Sequence, residues 1–200
     1  MERFGSVRTV CGVAGIRDLI EEDVPAIIRY WLASSPEFLD FMGVDRKRLG
    51  GEAEIGGRMR CAIRSGESEQ QSLAFAVVLD DETVGYTLLN RYGENQSYSH
   101  WHIFAPELRG KGISTSLYPL RLKTYFDTAP IDRLTHQTRT RNIAVNRMLD
   151  KFVSVAETKQ IQKPDGVAKP GEFHIRHVLR QDLPGILRRA AELGITIELA

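Results

Sequence analysis

The sequence predicts an α+β fold, a single mixed and mainly antiparallel sheet flanked by helices, and three observations lead there. The residue patterns run in the order strand, helices, three strands, helix, strand, helix, two strands. Two short apolar runs, 73–79 and 83–90, are joined by the polar Asp80-Asp81-Glu82, a hairpin signal. An extended stretch ending His100-Trp101-His102-Ile103-Phe104 then runs into a glycine-bearing turn that opens an amphipathic helix.

Taken in order, a first strand covers 10–18 and gives way to an acidic, proline-bearing helix start at Glu21-Glu22-Asp23-Val24-Pro25. Val24, Ile27, Ile28 and Trp31 recur at helical spacing, and the carboxylates complement the helix dipole. That helix ends near Ser34-Ser35-Pro36. One or two further helices fill 36–62, interrupted at Gly50-Gly51. After the hairpin strands and a turn at 93–96, Tyr98, His100, His102 and Phe104 face one side, and Ser99, Trp101 and Ile103 the other. The helix after Gly112 turns Ile113, Leu117, Leu120 and Phe126 to the sheet, with Pro119 inside it predicting a kink or an early end. A polar strand at 132–138, a helix at 142–151, closing strands at 152–160 and 172–179, and a last helix near 183–193 complete the chain.

With 200 residues and 42% hydrophobic content, one core and one domain spanning 1–200 are expected. Lys and Arg number 27 against 26 Asp and Glu, a formal charge of +1. No overall field draws the chain to nucleic acid or to an anionic membrane. The start has no apolar core of a signal peptide and the best apolar run is far too short to span a bilayer, so a cytoplasmic protein is expected. Cys11 and Cys61 lack metal-ligand spacing, as do His136, His174 and His177, and no metal is expected.

The segment Pro106 to Thr115 carries the chemistry. The chain stiffens at Pro106, turns at Arg109 and Gly110 and enters a helix at Gly112, so free backbone N–H groups converge where the dipole favours an anion. Neither common nucleotide loop fits: no Lys-Ser or Lys-Thr pair follows the second glycine, and no Gly-x-Gly-x-x-Gly is completed at Thr115. What Arg109-Gly110-Lys111-Gly112-Ile113-Ser114 resembles is the acetyl-CoA-binding signature of the GNAT (GCN5-related) N-acetyltransferase superfamily, Arg/Gln-x-x-Gly-x-Gly/Ala, with Ser114 departing from it. Asn142 to Lys151 resembles the family's later helix, although its usual Gly-Phe is replaced by Val153-Ser154 and its tyrosine acid is absent. The resemblance is clearest over 10–179.

This resemblance implies a sheet splayed between its fourth and fifth strands, and acyl transfer from coenzyme A to an amine of a small molecule or peptide within a ternary complex. Acetyl-CoA, or another short acyl-CoA, would be the cosubstrate. It would be held by Ile103, Phe104, Arg109, Gly110, Lys111, Gly112, Ile113, Ser114, Thr115, Asn142 and Asn146, with the Phe104 amide as oxyanion donor. His100 and His102 stand where relatives place a base, and an unperturbed imidazole near pKa 6.5 accepts a proton at neutral pH. Tyr118 and Tyr125 are general-acid candidates by chemistry alone. Trp31, Phe38, Phe41 and Trp101 are open to two readings, core or the lining of an apolar acceptor pocket. A non-catalytic acyl-CoA-binding or sensing module is the alternative function, and monomer and homodimer are both open.

Overall fold

The computed structural model describes residues 3–64, 72–91 and 94–200; Met1, Glu2 and Gly93 of the segments read above lie outside them. The strands are β1 (Arg3–Thr9), β2 (Gly12–Asp18), β3 (Ser72–Leu79), β4 (Glu82–Arg91), β5 (Gln96–Ile103), β6 (Arg133–Arg139), β7 (Glu157–Ile161), β8 (Gly171–Leu179) and β9 (Ile197–Leu199). They form one sheet ordered β7-β8-β6-β5-β4-β3-β2-β1-β9. Every neighbouring pair is antiparallel except β5 and β6. The helices are α1 (Val24–Ala33), α2 (Pro36–Met42), α3 (Arg46–Leu49), α4 (Glu52–Arg64), α5 (Ile113–Thr128), α6 (Ile143–Leu149) and α7 (Leu183–Glu192).

The strand period of two sends alternate side chains to two cores. On β3, Phe75 and Val77 join the core under α5 and α7, whereas Ala74 and Ala76 join Ile27, Trp31, Ile55 and Met59 under α1 and α4. Leu117, Leu120 and Leu122 of α5 are fully buried, each contributing roughly 1.5–3 kcal/mol by removal from water. The ion pair of Arg17 with Asp23, both buried, ties β2 to the start of α1: two N–H groups fork onto the carboxylate at 2.7 and 2.8 Å.

Two elements depart from the sequence reading. Val10 lies in a turn, not a strand, so the expected first strand is the second arm of a β1–β2 hairpin. Pro119 lies in the body of α5 without ending it. Its neighbours Tyr118 and Leu120 are fully buried, and packing of the whole helix carries it on past the missing hydrogen bond. With β1 added ahead, the fourth and fifth strands of the sequence reading are β5 and β6.

Candidate functional site

The loop between β5 and α5 leaves a set of backbone donors open. Gly110 (φ 75°) and Gly112 (φ 83°, ψ −3°) both adopt the left-handed conformation that other residues resist. Gly112 is the N-cap of α5 and has no side chain to bond the first turn. By contrast, Ser35, Asp45 and Asn142 cap α2, α3 and α6 with side-chain acceptors. Among the described residues, no backbone carbonyl accepts from the amides of residues 110–115; the first such helical bond is Ser116 N–H to Gly112 O. A Cβ on Gly110 or Gly112 would meet no atom within 4 Å, so the loop is open to space at both glycines.

Beside that loop the sheet splits. β5 and β6 are paired only at Gln96–Arg133, Ser97–Leu134 and Tyr98–Thr135; beyond this fork they part. Phe104 N–H donates to Val84 O at 2.8 Å, so the expected oxyanion donor is already engaged. Antiparallel pairing alternates, and Phe104 and Val84 form a hydrogen-bonded pair; the Trp101 and Ile103 pairs with β4 are therefore the non-bonded kind. Their N–H groups point away from β4, into the gap. The donors are displaced by one residue from the expected position because strand parity, not proximity, decides which amide is free.

The two histidines share a face, as expected, but not an environment. His102 is boxed by Trp31, Tyr86 and Tyr30, with ring centroids at 4.7, 5.1 and 5.6 Å, and its Nδ1 lies 3.3 Å from the Tyr30 hydroxyl. Burial, then the neighbouring His100 and Arg109, pushes its pKa down to about 3. The expectation of an unperturbed imidazole is thus corrected. His100 is exposed to solvent but surrounded by protein at longer range, and that desolvation lowers its pKa while Asp165 opposes the shift. Asp165 belongs to the β7–β8 connection, which folds back across this face. Its backbone pairs at Val44–Ala168, and Arg48 Nη1 donates to Pro164 O at 2.9 Å. Of the apolar candidates, Trp31 is buried in this wall and Phe38 lies at its edge, Phe41 is exposed, and Trp101 is on the opposite face.

The other named residues take specific positions. The Arg109 side chain turns back to donate to Phe104 O at 2.8 Å and stacks 4.0 Å over the Phe38 ring, bracing the loop against α2. Lys111 is exposed, and Ile113 is buried beneath the helix start. Ser114, the departure from the signature, accepts a hydrogen bond from Trp101 Nε1 at 2.8 Å and so tethers α5 to β5; Thr115 is half-buried beside it. Asn142 caps α6, accepting from Val145 N–H. Asn146 is buried: its oxygen accepts from Thr138 and Arg176 and its amide donates to Arg139 O and Thr140 O. Tyr118 and Tyr125 are fully buried and bonded to His136 and Thr87, and burial raises both phenol pKa values. Sequence reasoning missed Tyr30, Tyr86 and Asp165, which lie far along the chain from the motif and carry no local signal.

Among the described residues no group of three or more His, Cys, Asp or Glu could hold a metal, and no helix is long and apolar enough to cross a membrane. A search of curated proteins finds no match. Solved structures share the fold. Mycobacterium smegmatis RimJ, in complex with a CoA disulfide, superposes with a TM-score of 0.75 at 20% identity, over 100% of this chain and 97% of that one. RimL, a ribosomal L7/L12 alpha-N-protein acetyltransferase in complex with coenzyme A, gives 0.68 at 15% identity, over 86% and 97%. The aminoglycoside acetyltransferase AAC(6')-Ib, in complex with coenzyme A, gives 0.66 at 13% identity, over 86% and 98%. The family model described as an acetyltransferase (GNAT) domain matches residues 15–152, from β2 through the gap to the end of α6, and by that match the chain belongs to the GNAT acetyltransferase family.

Proposed function

We propose that this chain transfers an acetyl or other short acyl group from coenzyme A to an amine of a small molecule or peptide. The observation that carries this reading is the uncapped, glycine-entered N-terminus of α5 opening beside the parted strands β5 and β6. Amides of residues 110–115 would hold the pyrophosphate, with Lys111 adding charge. Asn142 Nδ2 would flank the pantetheine arm in the gap.

The Trp101 and Ile103 amides would stabilise the oxyanion, since unpaired N–H groups at a strand parting act as charge develops. His100, neutral at pH 7 and open to solvent, is the proposed base for the amine proton; His102 shapes the wall beside it. The carboxylate of Asp165, whose charge reaches His100, suits a cationic amine arriving from that side. Incubation with acetyl-CoA and an amine panel should release thiol, and Gly112→Val should abolish both turnover and CoA binding. Turnover unaffected by that change would remove the proposed cradle.

The buried tyrosines and the depressed His102 favour a second reading, a module that binds acyl-CoA without catalysis. It predicts stabilisation by CoA with no thiol release across peptides, amino acids, polyamines and aminoglycosides.

A further inference from the structure

Arg121, on α5, is 3% exposed and forms no salt bridge among the described residues. Its guanidinium lies 4.7 Å from the Trp101 ring centre and 5.1 Å from that of Tyr118. Among the described residues none accepts a hydrogen bond from it, and its Nε is buried without a partner. The other buried arginines differ: Arg17 forks onto Asp23, and Arg176 donates to Thr138, Asn146 and Asp150. A guanidinium stays charged in any protein, and a buried, uncompensated charge is costly; stacking on aromatic faces offsets only part of that.

Its neighbours fall on both strands that part. Trp101 lies on the part of β5 that has left β6, and His136 is the first residue of β6 beyond the fork. Arg121 acts on His136 electrostatically, second only to burial. Ser114, at the mouth, also reaches Trp101, and Arg121 is seven residues further along α5, about 10 Å deeper at 1.5 Å per residue. A thioester entering past the α5 N-terminus would direct its acyl end towards that charge.

We infer that Arg121 binds a carboxylate at the far end of the transferred acyl group, so that the preferred donors are monothioesters of short dicarboxylic acids, of the malonyl and succinyl class. This rests on the acyl-CoA reading above and specifies its acyl group. A planar guanidinium matches a carboxylate with two parallel N–H bonds, whereas an acetyl methyl would leave it unpaired. A departing thiolate is a poorer match, because its charge is transient and would leave Arg121 uncompensated with substrate bound. In the transfer itself the amine nitrogen attacks the thioester carbon, a C–N bond forms and the C–S bond breaks. Sulfur keeps the electron pair, the amine gives a proton to the base, and the distal carboxylate is unchanged.

The test compares free CoA, acetyl-CoA and succinyl-CoA on the whole chain, by thermal shift and by thiol release with an amine panel. Succinyl-CoA should exceed acetyl-CoA in kcat/KM by at least about tenfold, and stabilise the protein more, as expected of one buried charged pair. Arg121→Met should erase that ratio while leaving the shift produced by free CoA. A wild-type ratio of one or less, or equal loss on both donors in the variant, would overturn the inference. Should the variant fail to fold, the wild-type ratio decides alone. No shift with free CoA would instead sink the underlying acyl-CoA reading.

Discussion

His102 and His100 are two residues apart on one strand face, yet titrate for different reasons and predict different measurements. His102 is held neutral in its aromatic box, with a pKa of about 3 against about 6.5 for an unfolded imidazole. Below pH 6.5 the unfolded chain binds a proton there that the folded chain does not, so stability is lost as pH falls from about 6.5 towards 3. Buried His136, also shifted down, acts in the same sense. The slope is up to about 1.4 kcal/mol per pH unit for one such group. Unfolding midpoints measured from pH 7 to 4 should fall less steeply in His102→Phe; an unchanged slope would remove His102 from the account. For His100, whose lowered pKa leaves it neutral at pH 7, kcat/KM should fall only below pH 6.5. Its removal in His100→Gln should cost about 10²–10⁴-fold if it is the base. A pH–rate profile that keeps its acid limb in the variant would exclude that role.

At the scale of elements, β2 and α1 are joined by the buried Arg17–Asp23 pair, which fixes the wall carrying Tyr30 and Trp31. Burial alone would raise the Asp23 pKa; hydrogen bonds from Arg17, from the Ile20 amide and from Thr83 outweigh it and hold the carboxyl below its ordinary 3.8. Its stabilisation is therefore complete above about pH 4 and lost as pH falls through the lowered value. Asp23→Ala leaves Arg17 buried and unpaired, and should cost about 3–5 kcal/mol in denaturant unfolding. A loss under 1 kcal/mol would mean that solvent reaches Arg17 after all. Elements with a local signature were legible in the sequence: the hairpin strands around Asp80-Asp81, observed as β3 and β4, and the helices expected from 36 and from 142, observed as α2 and α6. Those set by distant partners were not. β9 is three residues long and exists by pairing with β1, and the β7–β8 connection is given its course by Val44 and Arg48. Arg121 follows the same logic, since an arginine between Leu120 and Leu122 carries no sequence signal of burial without an anion.

Across the whole molecule, the sheet is two ladders joined by a short parallel seam: β9 to β5 on one side, and β6, β8 and β7 on the other. Below the fork α5, tethered by Trp101–Ser114 on one ladder and Tyr118–His136 on the other, spans the opening on one face, and the β7–β8 connection, paired at Val44–Ala168, crosses the other. A ligand seated in the gap would touch both ladders and the α5 N-terminus at once, and would bind the folded chain but not the unfolded one. Mass action then sets the size of the effect: at a hundredfold excess over its Kd, coenzyme A should add about 2.7 kcal/mol of stability. For a chain of this length that corresponds to a rise in Tm of roughly 5–11 °C. Two variants separate the contributions. Gly112→Val forces a β-branched residue into a left-handed helix entry, so it should lower the unliganded Tm somewhat and abolish the ligand-dependent rise altogether, out of proportion to that loss. Asp23→Ala should lower the unliganded Tm while retaining the ligand-dependent rise, because the pair it breaks lies among β2, α1 and β4, away from the α5 entry. If both variants lost the rise in proportion to their loss of stability, binding would be reporting global integrity, and the α5 N-terminus would have no special part in it.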